Sequence, residues 1–206
     1  MQANHAYRQK KILMDRLSVP GQINQFTHTL EKDQAAKLFK LLAKYSPESQ
    51  KDKRQRLKQE AANKAEGKEQ KETDKPLTVK FGLNHITTLI ENKQAKLVVI
   101  ANDVVPIELM IHVPTLCRKM GIPYCFVKNK ARLGTFVHQK TATCVALTEV
   151  RKEDLHDLEN LRSFFNGTYN ENTGIRTLEG EPVMGMKNQQ RRNRRRRKKT
   201  PAKKQA

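Results

Sequence analysis

The side chains that could do acid–base, nucleophilic or metal chemistry are scattered along this sequence. They include His85, His112, His138, Cys117 and Cys125. Catalysis needs a nucleophile, a base and an orienting group held together, or else a bound metal. No motif pairs these residues, since the sequence has no HxxxH, GxSxG, Walker or GxGxxG pattern. The sequence therefore predicts no catalytic centre, no metal site and no cofactor.

Two carboxylates come after the first predicted strand, where ligands of α/β proteins often bind. They are Asp103 and Glu108. A simpler interpretation is that Asn102 or Asp103 caps the helix that comes next along the chain.

The cysteine count limits redox and metal chemistry. Cys117, Cys125 and Cys144 are an odd number without CxxC spacing, which disfavours a disulfide framework and a zinc site. They lie among aliphatic residues, and we therefore expect buried thiols in a reducing compartment.

A short stretch, FGLNHITTLIENKQ, places Gly82, Asn84 and His85 at the start of a helix predicted over 86–92. Gly82 permits a positive φ or a close backbone approach. Two interpretations of Asn84 stay open. It is a favoured N-cap, or its amide reads a base edge while the free N–H groups of the helix start face a phosphate. RNA suits the second interpretation, because its non-Watson–Crick elements expose base edges to short polar side chains.

A second polar segment, VKNKARLG at 127–134, comes after the second predicted strand. It brings Lys128, Lys130 and Arg132 to one end of the expected sheet. Loops at strand ends often carry function, although a solvated basic loop has the same composition. Next to a strongly basic tail, the loop favours RNA.

The charge is concentrated at the C-terminal end. The formal net charge is +20, and residues 186–206 carry eleven Lys and Arg side chains and no acidic one. A segment with so little to bury is expected to be disordered when free and to bind polyanions through counterion release. A nuclear import signal has a similar composition. The tail cations expected to contact RNA are Arg191, Arg192, Arg194, Arg195, Arg196, Arg197, Lys198 and Lys199.

Three aliphatic runs, at 96–101, 122–127 and 143–150, predict buried strands. Continuous apolar runs are typical of strands that are covered on both faces. Helical patterns lie between and after them, which predicts a three-layer α/β/α sandwich. Pro114 is expected to split the helical pattern after the first strand, and Gly121 to end it.

Composition divides the chain into four segments. They are an N-terminal extension with an amphipathic helix (1–46), a charged linker (47–76), an α/β/α RNA-binding domain with its C-terminal helix (77–166), and a C-terminal extension with the basic tail (167–206). The first two have too little apolar content to become ordered without RNA. No apolar run approaches the roughly 20 residues that span a bilayer. The first residues, MQANHAYRQKKILMDR, contain no apolar signal-peptide core, and we therefore do not expect secretion.

Helix limits are set by local signals within these segments. Thr27 or Thr29 is expected to cap the amphipathic helix of the extension. The linker is expected to hold an exposed helix that ends near Gly67. A helix with Leu155, Leu158, Leu161 and Phe164 or Phe165 on one face is expected to pack on the sheet or a neighbour and to stop at Gly167.

The run GLNHITTLIENKQAKLVVIANDVVPIELMIHVPTLCRKMGIPYCFVKNKARLGTFVHQKTATCVALTEV resembles the kink-turn-binding ribosomal protein superfamily. Residues 8–170 are similar to its large-subunit branch. The resemblance is made specific by the combination of four motifs: NQFT, DVxPIEL, LCRKMGIPYC and KARLG. The resemblance implies an α/β/α sandwich embedded in large-subunit ribosomal RNA. It implies that Gly82 and Asn84 read the sheared G·A pairs of a kinked RNA, and that Leu109 and Lys130 embrace an extruded base.

This sequence departs from the prototype binders at three positions. They place Glu directly after the Asn and Lys three residues later, where this chain has His85 and Thr88. The resemblance to the ribosomal branch implies RNA contacts at both positions. Val105 replaces an acidic residue before the Pro, which removes a repulsion next to RNA.

We therefore expect a structural, non-enzymatic constituent of the large ribosomal subunit. Its expected partners are large-subunit ribosomal RNA and neighbouring large-subunit ribosomal proteins, with no membrane and no small-molecule substrate. The expected location is the cytoplasmic ribosome, with nuclear or nucleolar passage during assembly. Two alternatives remain: a kink-turn-binding subunit of a small guide ribonucleoprotein, which the N-terminal arm disfavours, and an RNA-modifying enzyme, which the missing cofactor loop disfavours.

Overall fold

The computed structural model describes residues 2–65, 76–177 and 185–199. The α-helices of this part are α1 Gln2–Arg16, α2 Gly21–Asn24, α3 Lys32–Lys44, α4 Gln50–Ala65, α5 Leu83–Glu91, α6 His112–Met120, α7 Lys130–Phe136, α8 Leu155–Phe165, α9 Thr173–Thr177 and α10 Met186–Lys199. The strands are β1 Lys80–Phe81, β2 Leu97–Ala101, β3 Tyr124–Val127 and β4 Cys144–Leu147.

The four strands form one mixed sheet in the order β1–β4–β2–β3. Strand β2 runs parallel to β3 with Val99 opposite Cys125, whereas β4 is antiparallel to both β1 and β2. Every residue of β2, β3 and β4 is buried, which confirms the three predicted strand cores. Strand β1 was not predicted, because two residues carry no readable periodicity.

Helices cover both faces of this sheet. Helices α5 and α6 contact each other, and α3 contacts α8. Helix α7 joins the second group through stacked rings of Phe39 and Phe136, whose centroids lie 5.3 Å apart. Since the central strands are buried on both faces, these two groups are the outer layers, and the predicted three-layer α/β/α sandwich is confirmed.

The N-terminal extension contributes to the same core, in contrast to the expectation that it becomes ordered only on RNA. Phe26 packs against Phe126 with ring centroids 4.8 Å apart. The Leu30 N–H donates to the Phe126 carbonyl at 2.9 Å, and the Val79 N–H donates to the Tyr45 carbonyl at 2.8 Å. Leu38, Leu41 and Leu42 of α3 are buried in this core, and the apolar face of the helix therefore meets the sheet domain.

Two predicted helix starts differ from the structure. Helix α3 begins at Lys32 with Glu31 in the N-cap position, and the Thr27 hydroxyl instead donates to the Asn24 carbonyl at 2.7 Å. Pro114 does not split its helix, because it lies in the first turn of α6, where a backbone N–H has no helical acceptor. The break falls just before α6, and Gly121 ends that helix at φ +70° as predicted.

Helix α8 buries Leu158, Leu161 and Phe165, as predicted, whereas Leu155, which was predicted on the same face, is exposed. Gly167 does not stop it, since the chain continues as a π-helical turn over Asn166–Asn170. Tyr169 of that turn is buried, and its hydroxyl donates to the His28 carbonyl at 3.0 Å. This long-range contact holds the chain in a helical path beyond Gly167.

The two most highly charged segments form exposed helices. Helix α4 has no buried residue, as predicted for the linker, and Gly67 lies outside the described residues. Helix α10 includes much of the basic tail. The sequence pattern did not predict this helix. The expectation that the tail is disordered when free stays a prediction.

Candidate RNA interface

The sheet topology brings three connections to one edge of the domain. Strands β1 and β2 both run antiparallel to β4, and β3 runs parallel to β2. The carboxyl ends of β1, β2 and β3 therefore share one edge of the sheet. Three segments leave the sheet at this edge: the start of α5 (82–88), the β2–α6 connection (102–109) and the β3–α7 connection (128–132). We call these three segments together the loop edge.

At the start of α5, Gly82 occupies the N-cap position with φ +94° and ψ 128°, a conformation that side-chain-bearing residues rarely adopt. Its carbonyl accepts the first helical bond, from the Ile86 N–H at 2.9 Å. The helix begins at Leu83, three residues before the predicted start at Ile86, and Asn84 therefore lies inside the first turn. The N-cap interpretation of Asn84 is wrong.

The polar groups of this turn are left available. Asn84, His85 and Thr88 are exposed, and the Asn84 amide has no hydrogen-bond partner among the described residues. The first-turn N–H groups have no helical acceptor and point out of the positive end of the helix dipole. The Thr88 hydroxyl donates to the Asn84 carbonyl at 3.1 Å, which places Thr88 one turn behind Asn84 on the same side of α5.

The β3–α7 connection is held in place by polar side chains from the β2–α6 connection. The Asn102 side-chain oxygen accepts the Asn129 N–H at 3.2 Å, and an Asp103 carboxylate oxygen accepts the Lys130 N–H at 2.6 Å. The Asn129 side chain, at φ +75°, accepts the Ala131 N–H at 2.9 Å. Asn102 and Asp103 thus satisfy the start of α7, not of α6 as we expected from the sequence.

Sequence reasoning assigned Asn102 and Asp103 to the wrong helix and missed Asn129, the N-cap of α7. The bonds of Asn102 and Asp103 join positions 27 residues apart, beyond the reach of any local capping pattern. The one available signal was the strand-end position of Asn102 and Asp103.

Gly134, which lies in α7, is another residue whose role the sequence did not predict. A Cβ at Gly134 would lie 2.5 Å from the Gln139 carbonyl oxygen and 2.9 Å from the Thr141 Cα. Because these are backbone atoms, only glycine lets the chain after α7 pack this closely. The bond from the Gln139 N–H to the Gly134 carbonyl, at 3.0 Å, closes that turn.

Beside the polar start of α5, the loop edge exposes cations, apolar side chains and the carboxylates of Asp103 and Glu108. Lys128 and Arg132 are exposed and Lys130 is half-buried. Leu109 lies in a 3₁₀ turn after the cis Val105–Pro106 peptide, with 48% of its surface exposed. A surface of this kind can bind a phosphate backbone and cover the flat face of a base.

Lys128 and Arg132 also line a groove of about 390 Å³ between α3 and the β3–α7 connection. Lys32 and Phe39 of α3 are among the other residues that line it.

The tail cations lie on a separate helix, α10. Arg191, Arg192, Arg194 and Arg195 are exposed there. The side chains of Arg196, Arg197, Lys198 and Lys199 lie outside the described ones. The tail therefore adds charge to the molecule without being part of the loop edge.

The three cysteines are unsuited to nucleophilic chemistry. All three cysteines are free and buried, as predicted, and burial raises the pKa of Cys117 to about 12 and of Cys144 to about 11. Thiols with such pKa values are poor nucleophiles at neutral pH. The described residues contain no group of three or more His, Cys, Asp or Glu that could hold a metal, and none of their helices is long and apolar enough to cross a bilayer.

Comparison with known proteins identifies the family of the chain. Residues 64–159 match the model of the "Ribosomal protein L7Ae/L30e/S12e/Gadd45 family". The chain is 57% identical over 182 residues to "Large ribosomal subunit protein eL8" of Tetrahymena thermophila, covering 88% of this chain and 71% of that protein. It is 58% identical over 163 residues to "Large ribosomal subunit protein eL8A" of Candida albicans, covering 79% and 63%. With the Schizosaccharomyces pombe eL8 it shares 51% over 187 residues, covering 88% and 71%.

Proposed function

This chain belongs to the L7Ae/L30e/S12e/Gadd45 family of ribosomal proteins, and we propose that it is a structural constituent of the large ribosomal subunit that binds and stabilises kinked ribosomal RNA. The observation that carries the proposal is the exposed Asn84 amide in the first turn of α5, directly after Gly82 at positive φ. The names of its relatives, all large ribosomal subunit proteins, support the same assignment.

The start of α5 reads the RNA. The Asn84 amide both donates and accepts, and it can therefore pair with the exposed edge of a non-Watson–Crick base pair. Gly82 lets the backbone approach the RNA closely, and the free N–H groups of the turn bind a phosphate. His85 and Thr88 flank this contact on the same helix.

An extruded base fits between the other two connections of the loop edge. Leu109 covers its apolar face and Lys130 contacts its polar rim or phosphate. Asp103 holds the backbone of Lys130, which reduces the conformational entropy lost when the base is bound.

The remaining cations supply affinity and leave specificity to these few contacts. Lys128, Arg132 and the basic tail bind phosphates, which position the protein but carry no sequence information. The protein acts without catalysis, beside neighbouring large-subunit proteins, in the cytoplasmic ribosome. It reaches that site after nuclear or nucleolar passage during assembly.

Crosslinking the protein to RNA in cells, with sequencing of the attached fragments, tests this function. We expect fragments from one or two kinked segments of large-subunit ribosomal RNA, with the crosslinked peptide at the start of α5. Fragments from small guide RNAs would instead support a guide ribonucleoprotein. Fragments without any preference would mean that only the basic tail engages RNA.

A further inference from the structure

Helix α4 has an acidic side and a basic side. Four charged residues recur every fourth position on one side: Glu48, Asp52, Arg56 and Glu60. Five cations lie on the rest of the helix surface: Lys51, Lys53, Arg54, Lys58 and Lys64. At 100° per residue, no acidic side chain falls within the sector that these five define. We call this sector the basic face of α4.

The side chains of the acidic side are fixed by local hydrogen bonds. Arg56 donates to both carboxylate oxygens of Glu48, at 2.8 and 3.1 Å, and to Glu60 at 2.7 Å. Asp52 accepts from the Ser49 hydroxyl at 2.7 Å, and its N–H donates back to that hydroxyl at 3.3 Å. These bonds cap and stabilise the helix without any tertiary contact. They also keep the acidic side chains on the side opposite the basic face.

The basic face is open to solvent. Its five cations are exposed. None of them has an ion-pair partner among the residues that the structure describes. Leu57 lies among them with 48% of its surface exposed, next to the small Ala61. Lys51 and Lys64 are thirteen residues apart, which places the cations along about 20 Å of helix.

We propose that the basic face of α4 binds the phosphate backbone of an RNA duplex, outside the kinked element held at the loop edge. This inference rests on the proposed function for its RNA partner. The segregation of charge favours a polyanion on one side of the helix. A row of Arg and Lys side chains suits a strand of phosphates, because contacts to the RNA backbone need positive charge but no base recognition.

The start of α4 is attached to the domain near the loop edge. The Ser46 hydroxyl donates to the Phe136 carbonyl at 2.7 Å, and His138 hydrogen-bonds the Pro47 carbonyl through Nε2 at 2.9 Å. Phe136 ends α7, the helix that begins at Lys130. Helix α7 has 7 residues, about 10 Å of helix, and a duplex arm that runs from the loop edge along α7 therefore reaches the start of α4.

Two charge-matched variants of the full chain test the inference. Arg54→Gln with Lys58→Gln removes two positive charges from the basic face. Gln59→Glu with Asn63→Glu lowers the net charge by the same amount on the acidic side. The probes are a kink-turn RNA with a long duplex arm and a straight RNA duplex of equal length. Circular dichroism verifies that both variants keep their helix.

The slope of log K against log salt concentration is the readout. Each phosphate contact contributes about 0.9 to this slope in B-form duplexes, and we expect the basic-face variant to lose between about 1 and 2 on both probes. We expect the charge-matched control to lose less than half as much. Both variants should keep the preference for the kinked RNA.

Three outcomes overturn the inference. Equal slopes for the two variants would mean that net charge alone matters, and unchanged slopes in both would mean that α4 does not touch RNA. A basic-face variant that binds RNA normally but loses binding to polyglutamate would assign the face to an acidic protein. Absence of any kink preference in the unsubstituted protein would instead refute the proposed function, and the two failures can therefore be distinguished.

Discussion

Replacing Asn84 with alanine separates RNA recognition from helix stability. The Asn84 amide is exposed and makes no hydrogen bond within the described chain, and its removal therefore leaves no protein group unpaired. Alanine is the better helix former inside a first turn, by up to roughly 0.6 kcal/mol. We expect the free energy of unfolding to stay unchanged or to rise slightly.

The same substitution should weaken binding to kinked RNA. Losing a good base-edge contact costs about 1–3 kcal/mol, which corresponds to an affinity loss of about five- to 150-fold. Binding to a straight duplex, which depends on phosphates, should change little. The assay is a titration of labelled kink-turn and straight RNAs at fixed salt, together with urea unfolding of both proteins.

Asn92→Ala is the matched control. It makes the same chemical change on an exposed residue at the other end of α5, and it should affect neither RNA. The reasoning is refuted if Asn84→Ala binds kinked RNA as tightly as the unsubstituted protein. A fall in stability that accompanies a loss on both RNAs would restore a structural role for Asn84.

Three further predictions concern the scaffold and the tail. Gly134→Ala forces its Cβ against the backbone of residues 139–141 and should lower the free energy of unfolding by about 1–3 kcal/mol, measured from urea midpoints. Hydrogen bonds from Lys44 and Tyr45 lower the pKa of Asp154 from its ordinary 3.8. Its contribution to stability is therefore present above pH 3.8 and lost as pH falls through the lowered pKa. Asp154→Asn should be less stable than the unsubstituted protein at pH 7, with the gap narrowing in acid; a constant gap in pH-dependent melts would contradict this. Deleting 189–206 should flatten the salt dependence of RNA binding while preserving the kink preference, and a lost preference with an intact slope would refute that division of roles.

Sequence reasoning succeeded where the deciding interactions are local or repeat along an element. The aliphatic runs at β2, β3 and β4 identified strands covered on both faces, because burial on both faces leaves no position for a polar residue. It failed at the start of α5, which lies at Leu83 and not at Ile86, because Gly82 takes a positive φ as the N-cap residue.

The loop edge shows the same division. The cations of the β3–α7 connection could be located from the sequence, because they come directly after a predicted strand. The side chains that order them could not, because Asn102 and Asp103 act on a helix that begins 27 residues later. Only the parallel pairing of β2 with β3 brings those two strand ends together.

Asp103 raises a specific electrostatic question. A carboxylate beside an RNA-binding cation repels phosphate, yet an Asp103 oxygen accepts the Lys130 N–H at 2.6 Å. If its role is to position Lys130, only the acceptor oxygen is needed, and the negative charge is a cost. Asp103→Asn keeps that oxygen and removes the charge, whereas Asp103→Ala removes both.

We therefore expect Asp103→Asn to bind kinked RNA as tightly as the unsubstituted protein, or tighter at low salt, where repulsion is least screened. Asp103→Ala should bind more weakly, because the β3–α7 connection loses an N–H acceptor, a change of about 1 kcal/mol. In a Lys130→Ala background that loss should shrink, since Asp103 acts through Lys130. Equal weakening by Asn and Ala would show that the charge itself contacts the RNA, as an acceptor for a base amino group. The carboxylate would then be a direct reader of sequence, and the loop edge would hold two base-recognising side chains, Asn84 and Asp103.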